Sequence, residues 1–285
     1  PSNNKGASID PLKSVLRTGS NQQYDLSYGG GSDNGSYRVS FGYLDQKGII
    51  QNSGQNKTNV SYFLNQKFFD KKLNLESSLS ASFIRAYSPP LAESAGAEGD
   101  IIISALRWNP TLSLYDSNEA SGFTKVSDNP RNPLNLLNYY TDITKTFRTV
   151  GNLAATVTIA KGLDFKSSFG VDYSNSQRGV AASNYINVNQ IASADGVAGL
   201  GNVRKYNYLI ENTLNYNTNL TEGLKLNALA GYSFQQFDNY GESIIVTGFG
   251  NTHDQNYYLK NIYIGTKVNT SGTGQFVNTA FDEPT

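Results

Sequence analysis

Leu163-Asp164-Phe165-Lys166-Ser167-Ser168-Phe169-Gly170-Val171-Asp172-Tyr173 decides the fold. In an extended strand, residues i, i+2 and i+4 share a face. One parity here carries Leu163, Phe165, Phe169, Val171 and Tyr173, interrupted only by Ser167; the other carries Asp164, Lys166, Ser168, Gly170 and Asp172. One face is apolar and the other wet, and the apolar face must be buried or in lipid.

The pattern recurs outward from this stretch. Leu224, Leu226, Ala228, Ala230, Tyr232 and Phe234 stand opposite Lys225, Asn227, Gly231, Ser233 and Gln235, with Leu229 the exception. Tyr206, Tyr208, Ile210, Leu214 and Tyr216 repeat it, as do Tyr24 to Tyr28, Tyr37 to Tyr43, Val60 to Leu64, Leu73 to Phe83 and Leu153 to Ile159. The reading is eight strands of an all-β protein. Composition agrees: 19 Tyr and 14 Phe with only 16% charged residues and 8 Pro fit neither a disordered chain nor a helical globule.

The connections alternate in length. Short turns are expected near Gly29 to Gly35, Phe69 to Lys72, Ala160 to Gly162 and Leu220 to Gly223. Long ones are expected near Asp45 to Lys57, Ala86 to Thr146, Ser176 to Val203 and from Phe237 onward, with loops over 86–146, 176–203 and 237–260. Short and long ends then lie on opposite sides of the sheet, as in an antiparallel up-and-down transmembrane β-barrel with short periplasmic turns and long extracellular loops. From Tyr206 to Tyr216, about 10 steps of roughly 3.3 Å at a 45° tilt rise about 23 Å, matching the ~25 Å apolar band of such barrels. Tyr43, Phe83, Tyr173, Tyr206 and Phe234 would form an outer aromatic girdle, and Tyr28, Tyr37, Phe68, Phe165 and Tyr216 an inner one. A secreted β-sandwich carbohydrate-binding module is the soluble alternative. Its strands average about 5–6 residues, however, and nothing in it requires long and short connections to alternate.

Catalytic and metal chemistry find little support. The chain has no Cys, one His (His253), and 23 basic against 23 acidic residues, which removes thiol chemistry, a multi-histidine metal centre and any electrostatic case for nucleic acid. Asp33-Asn34-Gly35 and Asp195-Gly196 lack the ligand spacing of a calcium loop and read as turns, and Gly29-Gly30-Gly31 precedes a strand rather than a helix. His253 reads as a surface residue of a polar loop. No cofactor and no enzymatic activity are expected. Recognition is expected in the longest loop, where Trp108, Asn109, Tyr115, Asp116, Arg131, Tyr139 and Tyr140 set aromatic faces beside polar groups suited to sugar or peptide. For any single one of these residues, folding the loop onto itself is the preferred reading.

Several runs resemble the SusC/RagA family of TonB-linked outer-membrane proteins. They are Tyr24-Asp25-Leu26-Ser27-Tyr28-Gly29-Gly30-Gly31-Ser32-Asp33, then Tyr37-Arg38-Val39-Ser40-Phe41-Gly42-Tyr43-Leu44-Asp45-Gln46-Lys47-Gly48-Ile49-Ile50, and Leu64-Asn65-Gln66-Lys67-Phe68. Ala105-Leu106-Arg107-Trp108-Asn109-Pro110-Thr111, Tyr115-Asp116, Asn132-Pro133 and Glu211-Asn212-Thr213-Leu214-Asn215-Tyr216 extend the likeness. The resemblance implies a 22-stranded barrel with an N-terminal plug, a TonB complex that acts through the plug, and a SusD-like surface lipoprotein. It also implies import of oligosaccharides or peptides across the outer membrane of Bacteroidota. A siderophore- or cobalamin-type receptor is the alternative within the same architecture. On this reading, residues 1–20 are a plug-barrel linker remnant and 21–285 about eight barrel strands. The absence of an initiator Met suggests an internal piece of a longer protein.

Overall fold

The computed structural model describes residues 4–91, 99–127, 130–250 and 252–268. Eight long strands form one antiparallel sheet in sequence order: β1 (Ser20–Ser32), β2 (Gly35–Lys47), β3 (Gly54–Phe68), β4 (Leu73–Tyr87), β5 (Tyr140–Ala160), β6 (Leu163–Ala182), β7 (Val197–Thr221) and β8 (Leu224–Thr247). A two-residue strand, β9 (Lys267–Val268), pairs with the end of β8. Among the described residues the sheet does not close: β1 and most of β8 are free edges. Among the described residues, five short α-helices lie outside it: α1 (Pro11–Val15), α2 (Ile101–Arg107), α3 (Pro133–Asn138), α4 (Asn189–Ser193) and α5 (Gln255–Lys260). None is long and apolar enough to cross a membrane, which says nothing about strands.

The register carries one parity across all eight strands. Tyr28 faces Val39, Val39 faces Tyr62 and Tyr62 faces Leu79; Leu79 faces Gly151, Gly151 faces Val171, Val171 faces Tyr208 and Tyr208 faces Gln236. The apolar residues picked out strand by strand therefore merge into a single surface. That surface is open: Leu26 is 72% exposed and Tyr232 66%. The opposite face is polar. Arg148 makes a bidentate pair with Asp172 (3.0 and 3.1 Å), and Lys166 reaches Glu76 at 3.7 Å.

Tight turns join β1–β2, β3–β4, β5–β6 and β7–β8 at one end. Phe69, Asp70 and Lys71 all take positive φ, and Gly162 (φ +75°) could not carry a Cβ without striking the Asn217 carbonyl. At the other end the strands run further than periodicity suggests. β6 continues to Ala182, β7 starts at Val197 and β8 reaches Thr247, so the long connections are 88–139, 183–196 and the stretch after 247. Alternation fails there because both faces are covered. Val180, Ala182 and Val197 pack inward with Leu136, Ile186 and Val188, while Ala181, Ala198 and Val246 pack outward against Phe249 and Tyr258.

The segment before β1 also belongs to this end. α1 packs on α2 and α3, Val15 is buried with Ile101 and Trp108, and Leu16 bridges to Ile50. β1 therefore runs from the long-loop end towards the short turns. By its packing the segment is part of the loop layer.

Candidate functional site

The connections 88–139 and 183–196 form a cap on the polar side of the sheet, and the stretch after 247, which meets the cap through His253, also covers the outward side. Tyr140, Val180, Ala182, Val197 and Ile245 all have the polar-face parity, and the cap's core is built on them. Buried amides hold the loop backbones together. The Asn132 side chain caps α3 by accepting from Leu134 N (3.0 Å) and Asn135 N (3.3 Å), and its amide donates to Leu114 O (2.8 Å) and Thr124 O (3.1 Å). Pro133 follows at the first helical position, where a missing N–H costs nothing. Asn135 ties the loop to its neighbour, donating to Tyr185 O at 3.0 Å and accepting from Asn187 N at 2.6 Å.

The seven residues expected to contact ligand or partner divide in two. Trp108 is 4% exposed, its indole donates to Leu112 O (2.9 Å), and it sits in the core of the 88–139 loop. Arg131, also 4% exposed, donates to Val126 O and Ser127 O at 3.3 and 3.0 Å. Asn109 accepts from Thr111 N and Oγ1, closing a turn, and Tyr140 is buried in the cap core. These four side chains fold the cap. Tyr115 stands exposed, and Asp116 beside it accepts from Asn118 N at 3.0 Å. Tyr139 is half-buried and donates to Ser121 O at 2.9 Å; burial first, then the neighbouring Tyr185 phenol, raises its pKa above the ordinary value. Asn129, two residues before Arg131, lies outside the described residues.

What the sequence did not reveal is a ladder of rings. Tyr115 lies 5.6 Å from Phe123, Phe123 5.9 Å from Tyr139, Tyr139 5.7 Å from Tyr185, and Tyr185 stacks on His253 at 3.8 Å. His253 is not a free surface residue: its Nδ1 bonds Asn184 Oδ1 at 2.7 Å. The ladder draws on three separate connections, so no local motif marks it. Aromatic faces flanked by amides and carboxylates suit stacking on a sugar ring or a peptide plane. Among the described residues no group of three His, Asp or Glu could hold a metal ion.

The sheet also brings several of the rings expected in the outer girdle side by side. Phe83 and Phe147 are 4.8 Å apart, Phe147 and Tyr173 6.2 Å, Tyr173 faces Tyr206 in register, and Tyr208 bridges to Phe234 at 5.9 Å. Phe147 is missing from the periodic reading because Lys145 and Thr149 flank it on its own parity.

No family model matches the chain. It is 29% identical over 239 residues to TonB-dependent receptor P3 of Formosa agariphila, covering 82% of this chain and 23% of that protein. It is 28% identical over 149 residues to TonB-dependent receptor SusC of Bacteroides thetaiotaomicron, covering 46% of this chain and 14% of that one. The chain thus spans at most about a quarter of the length of these curated relatives. Among solved structures it is similar to the RagAB peptide importer in its open-open state, with TM-score 0.69, 20% identity, and coverage of 91% of this chain and 28% of that one. The closed-closed state gives TM-score 0.67 and 21% identity over 85% of this chain and 27% of that one. In sequence the chain is similar to a stretch of these TonB-dependent receptors, and in fold its sheet is similar to part of the RagAB importer.

Proposed function

We propose that this chain forms part of the wall and extracellular cap of an outer-membrane importer energised through TonB. One observation carries the reading. A single, largely apolar, solvent-open surface runs in continuous register over eight strands of 13 to 25 residues, with its polar parity on the other side. In water such a surface is an aggregation hazard, whereas against lipid it is the stable arrangement. The free edges of β1 and β8 fit the same reading, because lipid tolerates a sheet only when every edge is paired. Further strands of the parent protein would pair them.

The activity is gated passage. The polar parity lines the wet interior and packs against a plug, and the cap over it carries the aromatic ladder as the contact surface for an oligosaccharide or peptide. A SusD-like surface lipoprotein would close the outer opening over this cap. Residues 4–17 belong to that extracellular layer. The likeness to SusC and to an importer of peptides supports a polymeric nutrient over a siderophore.

The test is uptake by cells expressing the full-length receptor. Fluorescent oligosaccharides and peptides are offered with TonB present and absent. Accumulation of one class only when TonB is present is expected, and replacing Tyr115 and Tyr139 by Ala should reduce it about tenfold, the worth of one or two ring contacts. TonB-independent accumulation, or none of either class, would overturn the reading.

A further inference from the structure

Just beyond the outer girdle the outward face turns cationic. Arg85 on β4 and Lys145 on β5 share the parity of Phe83 and Phe147, one step towards the loops, and stand directly opposite each other in register. Like charges placed so are destabilising unless something negative lies between them. Among the described residues, the ion pairs are Arg148–Asp172, Lys166–Glu76 and Arg178–Asp142, and neither Arg85 nor Lys145 joins one. The nearest acid in their row is Asp45. It lies two strands from Arg85 through Asn56, about 10 Å, and already accepts from Asn56 Nδ2 at 2.8 Å; Glu242, three strands from Lys145 on the other side and about 14 Å away, accepts from Asn202 Nδ2 and Tyr240 Oη at 3.3 and 3.2 Å.

The pair opens into a groove of about 1030 Å³ that α5 roofs on the outward side, with Lys260 on its rim and Glu242, held by Asn202 and Tyr240, at its far end from Arg85. Gly179 allows that roof to approach, since a Cβ there would lie 3.2 Å from Leu259. Below, a second hollow of about 410 Å³ shares Arg85, Lys145 and Gln177 with the first, and its remaining lining includes Phe83 and Phe147. Cations above and aromatic rings below reproduce the vertical order of a lipid, with a charged headgroup over its chains. A free anion has no use for the aromatic floor.

We infer that this groove binds a phosphate-bearing lipid of the outer leaflet, its phosphate between Arg85 and Lys145 and a chain lying over Phe83 and Phe147. The inference rests on the outward face being the lipid face. The experiment is native mass spectrometry of the full-length receptor in detergent, with lipid A as the probe, the same lipid stripped of phosphate as control, and inorganic phosphate as competitor. Barrel assembly is checked by heat-modifiable gel mobility. Wild type retains lipid A and releases the dephosphorylated form. The Arg85→Gln/Lys145→Gln double variant loses retention by about tenfold or more, since each charge-assisted hydrogen bond is worth about that much. Arg85→Lys keeps most of it, and Lys57→Gln, on the inward parity, keeps all. Equal retention by the double variant, equal retention of the dephosphorylated lipid, or displacement by inorganic phosphate would overturn the inference while leaving the barrel reading standing. A wild-type receptor that is not a heat-modifiable membrane barrel would overturn both.

Discussion

On the wall of the sheet, Leu26 and Tyr28 are 72% and 71% exposed, whereas in the cap Asn132 is 0% exposed and Arg131 4%. The two regions invert each other's chemistry. In the wall, apolar side chains face outward and the polar parity lines the other side. In the cap, an apolar core is threaded by amides and a guanidinium that satisfy loop carbonyls. The difference shows which medium each region was built for. On the proposed reading, the wall is stabilised by a lipid phase it does not itself contain, and the cap by its own packing in water.

The comparison can be broken first at the cap. Trp108→Ala should cost about 3–5 kcal/mol of local stability, as for other buried Trp truncations. The expected result is rapid proteolysis and hydrogen exchange over 99–127 in the full-length receptor, with heat-modifiable barrel mobility retained. Loss of both together would mean that wall and cap are one cooperative unit. Next comes the wall: Val171→Arg or Ala228→Arg should cost about 2–4 kcal/mol near the membrane midplane, while Asn227→Arg on the polar parity is tolerated. Urea unfolding of the receptor in bilayers reads this directly, and equal costs at both parities would remove the facing assignment.

Smaller effects sharpen the contrast. Asn132→Ala removes a helix cap and strands two carbonyls, so about 2 kcal/mol of cap stability should go, seen as faster exchange at Leu134 and Asn135. Alkaline pH should act on the cap through Tyr139. Its phenol has a folded pKa above the ordinary 10.0, so the stability it contributes is whole below that value and is lost as pH rises through the folded one. Exchange of the cap should therefore accelerate above about pH 10, and Tyr139→Phe should blunt the change.

The wall was legible because period two assigns each side chain a face without reference to the rest of the chain. Leu163 to Tyr173 already states the answer, and the registers only join such segments. Legibility ends where a second layer covers the strand. Gly179-Val180-Ala181-Ala182 reads as loop because Val180 packs against Ile186 on one side and Ala181 against the Tyr258 cluster on the other. In the cap, the Trp108 ring and the Arg131 guanidinium have the composition of a binding surface, and only tertiary contacts show that they point inward. Phe123, Tyr185 and His253 come from separate connections and carry no shared spacing, so the ring ladder had no sequence signature.

The central claim, that the apolar parity faces lipid, is tested most directly by single-cysteine substitutions along 164–172. The segment contains no Cys of its own, so each introduced thiol reports one position. Each is placed in the full-length receptor in bilayers, labelled with a fluorophore, and exposed to a lipid-borne quencher and a water-soluble one. The account predicts strict alternation: Phe165, Phe169 and Val171 quenched from lipid, and Lys166, Ser168 and Asp172 from water. Equal lipid quenching at both parities, or none at either, would contradict it.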